Sequence, residues 1–176
     1  MDLKKVNYLS YFITFIMILI YTAVYLLRYH YANIFAALFK STFLLEFFIL
    51  MLFAFLFLAA GLMAKAAILA SFCDNKWQSL KFKVVRRIEK PYCSAAEPVK
   101  IKQYIAGVLA YILITAVIPY IIAFFTGDFM FVFSSFIPVV WVSGDILLLI
   151  KLLRKNSGDY IIDFDCVLLY RIYSKR

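Results

Sequence analysis

Four runs of about twenty apolar residues dominate this chain, and each is long enough to cross the hydrocarbon core of a bilayer as a helix. They fall at about Ser10–Leu27, Phe47–Ala70, Tyr104–Phe125 and Met130–Leu153, the second lying inside a longer apolar stretch from Phe35 to Phe72. In lipid, every backbone N–H and C=O must be satisfied within the protein, and a single run of this length does so as a helix. Composition points the same way. Of 176 residues, 66% are hydrophobic and 16% charged, and the mean hydropathy is +0.92. Soluble domains run to about 45–50% apolar and ~25% charged residues. A soluble chain this short lacks the interior volume to hide so much apolar surface. The sequence therefore predicts an all-α membrane protein of about four transmembrane helices, with the lipid bilayer as its first partner.

Charge sets the expected orientation. The formal net charge is +9, and the basic residues collect between the apolar runs. The segment 74–103 carries Lys76, Lys81, Lys83, Arg86, Arg87, Lys90, Lys100 and Lys102, and the tail 154–176 carries Arg154, Lys155, Arg171, Lys175 and Arg176. The connection after the first run has Arg28 and Lys40, and the one before the last run has Asp128. Lys and Arg accumulate in cytoplasmic loops. This predicts a multi-pass protein of the cell membrane with both termini, the basic loop and the tail in the cytoplasm. The same distribution argues against nucleic acid as the reason for the basic charge. Lys4 and Lys5 resemble the start of a signal peptide, but the run Tyr11–Leu27 is long and ends in bulky Tyr25-Leu26-Leu27-Arg28. It reads as a first span, without a small-residue cleavage site.

Two domains are expected: 1–45, a span and an apolar linker, and 46–176, the remaining membrane domain. The linker from Tyr31 to Leu45 contains Lys40 and precedes Glu46. It reads equally as an interfacial helix or as an early extension of the second span. In the basic loop, Leu80, Phe82 and Val84 alternate with Lys81, Lys83 and Val85, which predicts a short strand. Pro91 and Pro98 mark turns, and Tyr160–Ile162 and Val167–Tyr173 look strand-like. A small cytoplasmic β-element built from loop and tail is the expectation. Cys73, Cys93 and Cys166 are odd in number with no CxxC spacing, so neither a disulfide framework nor a zinc knuckle is indicated.

Ionisable residues at membrane depth cost several kcal/mol and mark candidate functional positions. Asp145 lies in Trp141-Val142-Ser143-Gly144-Asp145-Ile146-Leu147, ~12 Å from the end of the last run at 1.5 Å per residue. Gly144 beside it permits close approach of another backbone. Asp145 reads either as a metal, proton or substrate contact or as half of an interhelical bond. Lys65 lies in Gly61-Leu62-Met63-Ala64-Lys65-Ala66, and its long stem either snorkels to the interface or turns inward. Glu46 is assigned to the opposite interface. The chain has one histidine, His30, so no HExxH zinc helix can exist in it.

Three stretches resemble the DUF3267 family of membrane zincin peptidases. Asn75-Lys76-Trp77-Gln78-Ser79-Leu80-Lys81-Phe82 is similar to the family's NGWKSIKFG. Pro91-Tyr92-Cys93-Ser94-Ala95-Ala96-Glu97-Pro98-Val99-Lys100-Ile101-Lys102-Gln103-Tyr104-Ile105 is similar to PYCHCKEPLKVKHYI, and Ile118-Pro119 follows it. Gly144-Asp145 and the tail ending Tyr170-Arg171-Ile172-Tyr173 complete the likeness, which covers about two thirds of the chain. The resemblance implies a site-2-protease-like core in which the second and fourth spans face each other. It also implies zinc, held by an HExxH helix and a later acidic ligand.

Counting from Trp77, the family's HExxH falls on Gly61, Leu62 and Lys65. Both histidine positions and the glutamate are replaced, and only Asp145 matches a metal ligand. One carboxylate without imidazole is no zinc site, and Leu62 cannot activate a bound water. No cofactor is expected. Gly61 and Lys65 are four residues apart on one helical face. The sequence thus predicts an intramembrane ion pair in which the Lys65 ammonium replaces the metal's charge beside Asp145. The leading expectation is a catalytically inactive homologue that binds a membrane protein or peptide. An active peptidase using some other constellation and a small transporter or channel subunit are the alternatives. The sequence leaves the oligomeric state open.

Overall fold

The computed structural model describes residues 3–29, 43–85, 90–127, 129–154, 159–164 and 169–173. Helix α1 spans Leu3–Arg28 and α2 spans Phe43–Phe72. A 3₁₀ turn at Lys76–Ser79 leads into strand β1 (Leu80–Val85), followed by β2 (Lys90–Ala95) and the two-residue β3 (Val99–Lys100). Helix α3 (Ile101–Ile112) passes through a π-helical turn at Leu113–Val117 into α4 (Ile118–Thr126). Helix α5 (Phe129–Leu153) and strands β4 (Tyr160–Phe164) and β5 (Leu169–Tyr173) complete the chain. Among the described residues, four helical stretches are long and apolar enough to cross a membrane: Tyr8–Arg28, Leu44–Phe72, Ile101–Thr126 and Ser135–Leu153. The chain is a multi-pass membrane protein on the length and composition of these helices.

The lipid-facing surfaces are visible as stripes. On α1, Tyr8, Phe12, Phe15 and Leu19 are exposed, and on α2, Leu44, Phe48, Leu52 and Leu56 are exposed. Those spacings of three and four residues each trace one face of a helix. Exposed apolar stripes of this length are stable in hydrocarbon and not in water. Helix α2 starts four residues before the expected Phe47, so Phe43–Leu45 extend the span and the expected boundary at 45 falls in its first turn. Residues 31–42 of the apolar linker, and His30, lie outside the described residues. At thirty residues, α2 is about 45 Å long and exceeds the ~30 Å hydrocarbon core.

Packing divides the chain into two compact units, Met1–Ala59 with Leu113–Ser143, and Ala60–Ile112 with Gly144–Arg176. The first is organised by tyrosines. Tyr21, Tyr25 and Tyr29 recur every fourth residue. Their hydroxyls donate to the carbonyls of Ala116 (3.3 Å), Gly127 (3.0 Å) and Phe124 (2.9 Å). Tyr120 stacks on Tyr21 with ring centroids 3.8 Å apart and donates to the Tyr21 carbonyl at 3.0 Å. The π-helical turn has a local cause. Pro119 has no N–H to give the Thr115 carbonyl, and its ring crowds the preceding turn. Tyr21 supplies a side-chain donor within that turn, as backbone at membrane depth requires. Phe53, Ala54, Phe57, Pro119, Ile122, Ser135 and Pro138 line an apolar cavity of about 260 Å³ in this unit.

The second unit holds the β-structure. Strands β1 and β2 pair antiparallel as a hairpin with Phe82 opposite Cys93, as the alternation predicted for β1. Strands β3, β4 and β5 form a second antiparallel sheet in that order. Val99 faces Ile161, and Ile161 faces Ile172, so the tail pairs with the loop. The Ile101 N–H donates to the Asp159 carbonyl at 3.0 Å, which ties the start of α3 to the same strand. The core beneath combines Ala66, Leu69, Ala70 and Cys73 of α2 with Tyr104 and Val108 of α3, Leu148 and Leu152 of α5, and Ile161. The spacing 66, 69, 70, 73 is that of an apolar helical face turned to a core.

Candidate functional site

That same face of α2 carries Gly61 and Lys65, two turns and one turn before Leu69. Lys65 does not snorkel: it is 1% exposed, as is Asp145 on α5. The Lys65 Nζ lies 3.9 Å from the Asp145 Oδ1. Lys65 is seven residues from the end of α2 and Asp145 eight from the end of α5, about 10 and 12 Å along the helix axes. Asp145 shares its helix face with Leu148 and Leu152, whose burial in the core fixes the direction of the carboxylate.

Two tyrosine rings lie against the ammonium. Nζ lies 4.4 Å from the ring centroid of Tyr92 on β2 and 5.3 Å from that of Tyr104 on α3. Both distances are within the ~6 Å range of cation–π attraction. The two tyrosine hydroxyls are hydrogen-bonded to each other at 2.8 Å, which locks the rings in place. Gly107, one turn beyond Tyr104, brings α3 close: a Cβ there would sit 3.6 Å from Lys65 Cγ and from Leu69. The site is therefore a cation held between a carboxylate and two aromatic faces, with its aliphatic stem beside Gly107 of α3.

The other anticipated positions are placed as follows. Gly61 is buried, Leu62 and Gly144 are partly buried, and Glu46 sits in the first turn of α2, where the helix dipole favours a carboxylate. Cys73 and Cys93 are buried and not joined in a disulfide, and Cys166 lies outside the described residues. Ser143 is bonded to Ser10 at 2.6 Å and to the Val140 carbonyl. Among the described residues, no three His, Cys, Asp or Glu side chains converge as a metal site. Zinc does not fit around Lys65 and Asp145, because a fixed ammonium 3.9 Å from the Asp145 carboxylate repels a dication and brings no donor pair.

Sequence reasoning overlooked Tyr92, Tyr104 and Glu97. The tyrosines stand in the Pro91–Ile105 stretch that carries the family likeness, which was the available signal. Glu97 organises the turn after α2. Its carboxylate accepts from the Asp74 N–H (2.8 Å), Asn75 Nδ2 (2.7 Å) and the Ser79 hydroxyl. Those donors hold its carboxyl below the ordinary range, the Ser79 bond contributing most and Asn75 next. Burial, with lesser contributions from Glu97 and Asp74, raises the Cys73 thiol above its usual value. Within this turn, Lys76 adopts a left-handed backbone with φ 49°, a conformation suited to glycine. No family model, no curated protein and no solved structure matches the chain.

Proposed function

We propose that this protein is a catalytically inactive relative of the DUF3267 membrane zincin peptidases, with a site-2-protease-like core in which a tethered ammonium has replaced the metal. The observation that carries this reading is the buried pair itself: Lys65 stands where the family's second histidine is expected, 3.9 Å from Asp145. An ion pair at this depth keeps Asp145 from being buried as a lone charge, which is severely unfavourable in lipid. A second detail supports the likeness. The family's NGW stretch carries glycine where this chain has Lys76, the residue with φ 49°. The role is binding of a membrane protein or peptide, without hydrolysis. On the distribution of Lys and Arg, the hairpin and tail face the cytoplasm and the protein resides in the cell membrane.

The test restores the missing groups. The variant Gly61→His, Leu62→Glu, Lys65→His, with Asp145 kept, is purified in detergent and its zinc content measured. One zinc per chain is expected, and its loss on adding Asp145→Asn. A restored helix that remains folded by circular dichroism and takes up no zinc refutes the family reading.

A further inference from the structure

The replaced metal site leaves the turn after α2 unexplained. Between Phe72 and Phe82 the chain exposes three large apolar side chains: Phe72, Trp77 and Phe82, the last two at 51% and 54%. Lys76 and Lys81 are exposed beside them, and Lys100, Lys102 and Arg154 are exposed in the same unit. The acidic groups of the turn are Asp74, which is exposed, and Glu97, whose carboxylate is committed to three donors.

The turn is held firmly. Besides the Glu97 bonds, the Ala96 N–H donates to the Ser79 carbonyl at 2.8 Å. It keeps Lys76 in a backbone conformation that side-chain-bearing residues rarely adopt. A strained, clamped turn that displays an indole needs a reason. It begins within a few residues of the end of a membrane-spanning helix, the level at which Trp and Lys are favoured: indole at the headgroups, lysine stems reaching phosphate.

We infer that residues 72–82 form an interfacial anchor for anionic phospholipid. Trp77 and Phe82 seat at the headgroup–acyl boundary, and Lys76 and Lys81 contact lipid phosphates. Charge complementarity selects the occupant. Basic side chains with intercalating aromatics at a span end match an anionic leaflet, and each lysine favours it over a zwitterionic one by about fivefold.

The test uses the full chain with Trp141→Phe, which leaves Trp77 as the sole tryptophan. The protein is reconstituted in phosphatidylcholine vesicles with and without phosphatidylglycerol. Trp77 emission is expected to be quenched by lipid brominated near the headgroup and protected from aqueous iodide. Energy transfer from Trp77 to dansyl-phosphatidylglycerol should exceed that to dansyl-phosphatidylcholine several-fold. Lys76→Gln with Lys81→Gln should remove most of that preference, bringing transfer to the two lipids close to equal. Glu97→Ala should weaken bromolipid quenching while the helical content stays constant. Iodide quenching without bromolipid quenching, or equal transfer to the two lipids, overturns the anchor. Unchanged quenching in Glu97→Ala overturns the clamp that positions it. None of these readouts depends on the zinc experiment.

Discussion

Uncoupling Lys65 from Asp145 is the most informative perturbation of the buried site. The Nζ–Oδ1 separation of 3.9 Å corresponds to about 4 kcal/mol of attraction at an effective dielectric constant of about 20. The faces of Tyr92 and Tyr104 add about 0.5–2 kcal/mol each for a desolvated cation. Removing one member of such a pair leaves the other charge buried, at a cost of about 3–5 kcal/mol, whereas removing both is close to neutral. Lys65→Met and Asp145→Asn should each cost about that much, and the double variant should recover most of the loss. The assay is a double-mutant cycle on unfolding in mixed micelles. Polar contacts between membrane helices commonly couple by only about 0.6 kcal/mol, so the expected coupling of more than ~2 kcal/mol separates a desolvated ion pair from an ordinary interhelical bond. Additivity within about 0.5 kcal/mol would refute the pair.

Further tests address the turns and helix packing. Because the folded Glu97 carboxyl titrates below its ordinary value of 4.5, its contribution to stability is full above that value. The contribution disappears as pH falls through the lowered folded value; Glu97→Gln should remove this acid sensitivity in a pH series of melting curves. Lys76→Gly should raise stability by roughly 0.5 kcal/mol, the balance between left-handed strain of about 1–2 kcal/mol and glycine's entropy cost of about 0.5–1 kcal/mol. Gly127 has φ 72°, and a Cβ there would lie 2.9 Å from Tyr29 Cε1. Gly127→Ala should therefore cost at least about 1–2 kcal/mol, while Gly107→Ala, meeting only ordinary contacts at 3.6 Å, should melt near the parent. Cys73, with its thiol raised by burial, should alkylate at neutral pH more slowly than an unstructured peptide thiol.

The parts of this fold legible in the sequence were those where one physical requirement dominates. Twenty apolar residues admit only a span, and charges at membrane depth are costly enough to single out Lys65 and Asp145, while their pairing was expected only through the family resemblance. The start of α2 was less legible because Glu46 looks like an interruption. It belongs to the first helical turn, where the dipole welcomes a carboxylate. The alternation at Leu80–Val85 revealed β1, but its partner β2 carries Pro91 and reads as a turn; the proline stands opposite Val84, next to the pair Val85–Lys90 that ends the ladder on the side of the connecting loop. Strand β3 has two residues and becomes visible only through its pairing with the tail. The aromatic faces around Lys65 were hidden because a tyrosine in an apolar stretch serves a core equally well. Asn75 and Glu97 are 22 residues apart, so no local pattern announces their bond.

The central claim is that a lysine stands in place of a metal. Its most direct test is the zinc content of the unmodified protein, extracted in mild detergent from zinc-replete cells and analysed by mass spectrometry of metals beside its Lys65→His variant. The account predicts zinc at background in both, since the variant still lacks the other motif groups. One zinc per chain in the unmodified protein, lost on Asp145→Asn, would contradict it.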